Sequence, residues 1–117
     1  MAMITGGAKR IGREAALALV RAGCDITITY RGSRDEAHQV LQQAVALGAG
    51  RSACRAVELA LDDLDAVDAA ARRLANDLPR LDVLVLNASS YHRTPLDTLT
   101  PAHLNAAYAV NAASAAI

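Results

Sequence analysis

The sequence holds no tryptophan and no phenylalanine, and three tyrosines supply all of its aromatic side chains. The hydrophobic share of 53% is carried largely by alanine and the aliphatics, enough for one well-filled core. Neither sign of charge is in excess: 12 basic residues face 12 acidic ones, for a formal net charge of zero. That balance excludes bulk attraction to nucleic acid or to an anionic membrane. No apolar run is long enough to span a bilayer, and no basic segment precedes an apolar leader, so a cytoplasmic location is expected. The two cysteines, Cys24 and Cys54, each stand at an apparent strand edge and read as buried reduced thiols rather than a disulfide or a metal pair. His38, His92 and His103 are scattered and lack ligand spacing, so no metal site is expected. Ser89 and Ser90 lie near His92, but no nucleophile elbow is present and hydrolase chemistry is excluded. A length of 117 residues suffices for one domain and is too short for two.

What is present is an alternation of strand and helix signals. Met1 to Thr5 reads as a strand. Ile11 to Ala22 reads as a helix with Gly23 just past its end. Asp25 to Tyr30 is rich in β-branched residues and predicts a second strand. Ser33, Arg34, Asp35 and Glu36 form a capping-box pattern that opens a helix ending near Gly48. Ser52 to Leu59 is a third strand. From Asp62 to Leu78, Leu64, Val67, Ala71, Leu74 and Leu78 share one helical face, and Pro79 stops the helix. Leu81 to Asn87 is nearly continuous in apolar residues, the mark of a strand buried on both faces. Thr100 and Pro101 cap a last, alanine-rich helix. The pattern predicts right-handed βαβ units in a three-layer, doubly wound α/β fold, with four parallel strands in the order 3-2-1-4.

The first turn carries the strongest chemical signal. Thr5, Gly6, Gly7, Ala8, Lys9, Arg10, Ile11 and Gly12 join the first strand to the first helix. A glycine-rich turn there is a phosphate cradle: Gly6 can turn at positive φ, and Gly12 allows close approach of backbone or cofactor. The helix N–H groups then face the anion. This spacing resembles the T-G-x-x-x-G-x-G turn of the short-chain dehydrogenase/reductase family, with Arg10 in place of the middle glycine, a variant typical of pteridine-reductase-like members. After the second strand come Tyr30, Arg31, Gly32 and Ser33, with no acid at the strand tip. An arginine there accommodates a ribose 2′-phosphate, so NADP(H) is the expected cofactor, held by Arg31 with Ser33 beside it. The resemblance extends to Asn87, Ala88, Ser89 and Ser90 after the fourth strand, and to Thr94 and Pro95 beyond them.

The resemblance implies several roles. Tyr91 would sandwich a flat substrate against the nicotinamide, and Ser89 and Arg10 would also border the substrate. Glu58 and Leu59 would stand near the adenine. Asn111, an amide in an apolar helix, would support the catalytic site. Members are commonly tetramers, so a homo-oligomer acting on a small molecule is implied. The family also needs a Tyr-x-x-x-Lys pair, and Lys9, the single lysine, does not supply it. The whole chain therefore reads as the cofactor-binding N-terminal part of one longer Rossmann domain, expected to be inactive by itself. Three functions fit at this point: reduction of pteridine-like heteroaromatics, another short-chain reduction such as that of 3-oxoacyl thioesters or sugars, and a non-catalytic nucleotide-binding module.

Overall fold

The computed structural model describes residues 1–50 and 53–117. Four strands, β1 (Ala2–Ile4), β2 (Ile26–Tyr30), β3 (Arg55–Glu58) and β4 (Val83–Val85), form one parallel sheet in the order β3-β2-β1-β4. The helices α1 (Arg10–Arg21), α2 (Arg34–Ala46) and α3 (Leu64–Asp77) are the crossovers. A 3₁₀ turn (Leu96–Thr98), α4 (Pro101–Tyr108), a π-helical turn (Ala109–Ala113) and α5 (Ser114–Ala116) follow β4. The predicted topology and strand order are those observed, because parallel neighbours joined by right-handed crossovers leave little choice once β1 is central. Of the third strand as read from the sequence, Ser52 lies outside the described residues.

The register puts Ile4 opposite Ile28 on one side and Val85 on the other. Ile4, Ile26 and Ile28 are fully buried beneath α1 and α2, which present Ala16, Leu17, Val20, Ala37, Val40 and Ala44 to them. Burying each isoleucine contributes about 2 kcal/mol. On the other face α3 turns Val67, Ala70 and Leu74 toward Met3 and Thr5 across a cavity of about 480 Å³. This is the three-layer arrangement. Helix α1 ends as expected: Gly23 at φ +85 lets its N–H reach the Val20 carbonyl and the Cys24 N–H reach that of Leu19.

Four expectations are corrected. First, β4 is not buried on both faces. It lies at the sheet edge, with Val83 and Val85 packed toward the core and Leu84 half exposed on the other side. Second, the capping box at Ser33 does not form. The Glu36 carboxylate instead reaches Lys9 Nζ at 2.7 Å, a charged partner that wins over a backbone N–H. Third, Cys24 and Cys54 sit outside the strands, in the connections that lead into β2 and β3. Both are free, and burial pushes the Cys54 thiol above its ordinary value, the mark of an unreactive thiol. Fourth, the last helix is interrupted by the π-helical turn and is exposed over α4, so Asn111 stands on an exposed turn rather than a buried helix. Thr100 does cap α4, in a reciprocal box with His103. Among the described residues no helix is long and apolar enough to cross a membrane.

Candidate functional site

A crevice of about 570 Å³ opens at the carboxyl ends of the strands, where the order reverses between β1 and β4. Its size suits a small-molecule ligand. The turn after β1 contributes Gly6, Lys9, Arg10 and Ile11, and the end of β2 contributes Thr29, Tyr30 and Arg31. The loop after β3 adds Leu59, Leu61 and Asp62, and the loop after β4 adds Asn87, Ala88, Ser89 and Ser90. Val110 enters from the π-helical turn.

Two of the predicted contacts turn out to build the crevice from beneath. Thr5 is buried, and its Oγ1 accepts from the N–H groups of Asn87 at 3.0 Å and Ala88 at 3.1 Å. Asn87 Nδ2 donates back to the carbonyls of Thr5 at 3.0 Å and Gly6 at 3.3 Å. Together they stitch the first turn to the β4 loop across some 80 residues of chain. Gly12 is the second such residue: it does not line the crevice, and a Cβ there would strike the Gly6 carbonyl and lie 2.5 Å from Asn87 Nδ2. Its role is close approach of α1 to the turn. Gly6 itself has φ +65, as a tight turn requires.

Arg10 is the sole non-glycine residue with positive φ among the described residues, at +51. An L side chain in that region carries strain of about 1 kcal/mol. It opens α1 with its guanidinium exposed and no carboxylate partner among the described residues. The other cations nearby are paired: Lys9 with Glu36, Arg31 with Asp62 at 3.3 Å, and Arg34 with Glu58 at 3.7 Å. The Tyr30 hydroxyl, with help from Glu58, holds the Arg34 guanidinium firmly in its charged form. Lys9 in turn holds the Glu36 carboxyl below its usual range.

Helices α3 and α4 are capped by Asp63, which accepts from the Ala66 N–H at 3.0 Å, and by Thr100. Helices α1 and α2 have no side-chain cap. Their N-termini, at Lys9 and Ser33, follow the tips of β1 and β2 that border the crevice. Their first-turn N–H groups have no intrahelical acceptor and carry the positive end of the helix dipole.

Four further predicted residues lie apart from the crevice walls. Ser33 occupies the α2 N-cap without bonding into the helix. Glu58 faces Arg34 and does not line the crevice, whereas Leu59 does. Tyr91 is 85% exposed beyond the rim. Asn111 does not line the crevice either, but its carboxamide grips Ser90, which does. Sequence reasoning missed Thr29, Leu61, Asp62 and Val110, whereas it placed Ser90 in the loop that faces the ligand. The rule that loops at strand carboxyl ends face the ligand could have found Asp62 as well.

The sequence matches the short chain dehydrogenase family over residues 1–117. It is 40% identical over 100 residues to a probable oxidoreductase of Streptomyces lividans, covering 86% of this chain and 31% of that protein. It is 34% identical over 87 residues to a 3-oxoacyl-acyl-carrier-protein reductase of Staphylococcus aureus, covering 74% of this chain and 34% of the relative. The fold superposes on a short chain dehydrogenase from Burkholderia cenocepacia in complex with NADP with a TM-score of 0.87. That match, at 34% identity, covers 97% of this chain and 45% of the other. The chain thus spans about a third of the curated relatives it matches, and it belongs to the short chain dehydrogenase family.

Proposed function

We propose that this chain is the NADP(H)-binding part of a short-chain oxidoreductase, with residues 1–117 forming the N-terminal portion of a single Rossmann domain. The observation that carries the reading is the uncapped N-terminus of α1 with Arg10 at the crevice, and Arg31 on the same wall just before the uncapped α2. A dinucleotide with a 2′-phosphate presents two anionic groups and fits that pattern. The first-turn N–H groups of α1 and Arg10 would hold the pyrophosphate. Arg31 would take the 2′-phosphate with a bidentate fork, aided by the N-terminus of α2 and the Ser33 hydroxyl. Its pair with Asp62 is exposed and worth little, so a phosphate can displace it.

When bound, the cofactor supplies a hydride. The residues of this chain orient it: Leu59 and Leu61 offer apolar contact beside Arg31, Ile11 offers an exposed apolar side chain at the turn, and Ala88 and Ser89 border the far end. Asn111 acts on the rim through Ser90. The relatives favour a carbonyl substrate, with a 3-oxoacyl thioester as one example. A second reading, a planar heteroaromatic substrate, is supported by Tyr91, whose free ring stands next to Ser90 on the rim. The same reading includes a cytoplasmic homo-oligomer, for which the exposed Leu104 and Tyr108 of α4 offer apolar contacts.

Titration of NADPH and NADH by fluorescence tests the proposal. NADPH is expected to bind more tightly, and Arg31→Ala to weaken NADPH by about thirtyfold with little change for NADH, the size of one charged hydrogen-bonded contact. An unchanged ratio of the two dissociation constants would show that Arg31 does not read the phosphate.

A further inference from the structure

We infer that Asp62 sets the choice between the two nicotinamide dinucleotides, opposing a 2′-phosphate at Arg31 and offering an acceptor to a free ribose 2′-hydroxyl. The inference rests on the cofactor reading above and adds the residue that limits its selectivity.

Of the carboxylates on the elements around the crevice, Glu36 holds Lys9, Glu58 holds Arg34, Asp63 caps α3 through the Ala66 N–H, and Asp35 sits in the first turn of α2 outside the crevice lining. Asp62 is the one carboxylate among the described residues that lines the crevice. Its Oδ2 lies 3.3 Å from Arg31 Nη2, close to one of the guanidinium N–H groups that a phosphate would use. It arrives from the β3–α3 connection, whereas the β2 tip, Tyr30 to Ser33, carries no acid.

A 2′-phosphate carries close to two negative charges. Docked on Arg31 it would meet Asp62 within a few ångströms, a like-charge contact that weakens binding. A ribose that bears only a hydroxyl meets no such repulsion and gains an acceptor. The same side chain therefore penalises one cofactor and assists the other, and the wild-type preference for NADPH is held below what Arg31 alone would give.

The test compares the wild-type protein with Asp62→Asn, which keeps the shape and removes the charge. NADPH and NADH are titrated by fluorescence at low and high salt. Asp68→Asn, which removes a carboxylate engaged with Arg72 on α3, is the control for net charge. Asp62→Asn is expected to tighten NADPH by about tenfold, to leave NADH unchanged or weaker, and to lose most of that gain in 1 M salt. Asp68→Asn is expected to leave the ratio of the two constants unaltered. If Asp62→Asn leaves that ratio unchanged, or moves it toward NADH, the inference is overturned while the cofactor reading stands. If neither protein binds either dinucleotide, the cofactor reading fails and the inference falls with it.

Discussion

The Asn111 carboxamide grips the backbone of Ser90 at both ends: Nδ2 donates to the Ser90 carbonyl at 2.9 Å, and Oδ1 accepts from the Ser90 N–H at 2.8 Å. A primary amide offers one acceptor and two donors in a single plane, so it can satisfy a peptide unit as a neighbouring strand would. The wide turn at Ala109–Ala113 sets Asn111 at that loop, and the Ser114 hydroxyl donates to the Val110 carbonyl at 2.8 Å. Single π-helical turns inside helices recur at functional sites. Here the turn ties the last helix to the rim of the crevice.

Removing this grip should loosen the rim more than it unfolds the protein. Both bonds are exposed, so Asn111→Ala is expected to cost about 1 kcal/mol of stability. Hydrogen exchange should show it directly, with the Ser90 amide exchanging faster while Ile4 and Ile28 stay protected. Equal protection of Ser90 in the two proteins would sink the assignment. Asn111→Asp sets a carboxylate oxygen against the Ser90 carbonyl and should loosen the rim at least as much as Asn111→Ala.

Gly12 tolerates no side chain. A methyl group would enter the space of the Gly6 carbonyl and of Asn87 Nδ2, and backbone cannot give way cheaply. Gly12→Ala should destabilise the fold by about 3 kcal/mol, at the upper end of ordinary overpacking. Urea unfolding measures it, and a midpoint within error of wild type would mean that α1 can slide away from the turn.

At Arg10 stability and binding should part company. Glycine adopts φ +51 without strain, although it loses more freedom on folding. Arg10→Gly should therefore gain about 0.5 kcal/mol, or about 3 °C in melting temperature. NADPH affinity should fall at the same time, because the guanidinium proposed to hold the pyrophosphate is gone. A variant that is both less stable and unchanged in binding contradicts both halves of the argument.

Acid stability should depend in part on Asp82. Hydrogen bonds from Arg80 first, and from the Met1 amine second, hold its carboxyl down from 3.8 to about 2. A lowered folded-state pKa adds stability that is fully present above the ordinary value and is lost as pH falls through the folded one. The stability difference between wild type and Asp82→Asn should thus be flat above pH 5 and shrink between about pH 4 and pH 2. Chemical unfolding across that range checks it, and a constant difference down to pH 2 would exclude the pair as its source.

Much of the crevice was legible in the sequence, because its parts are short local signals. Gly6 and Gly12 mark a tight turn and a close approach whatever else the chain does. The β-branched run before Tyr30 and the basic residue after it place Arg31 at a strand tip. Two of the misreadings come from competition by distant partners. Glu36 left its capping box for Lys9, and Glu58 faces Arg34. Leu84 carries an apolar signal that says nothing of whether a neighbour covers it, and at the sheet edge it is half exposed.

By itself the sequence determined the elements, their alternation and so the parallel order β3-β2-β1-β4, since apolar periodicity, helix caps and right-handed crossovers are local or nearly so. Only the tertiary structure decided which side chains meet at the strand ends. The Thr5–Asn87, Arg31–Asp62 and Asn111–Ser90 pairs join residues far apart in the chain. Their polar groups have many possible partners in an unfolded chain. The sheet settles the matter by bringing the loops after β1, β2, β3 and β4 to one edge.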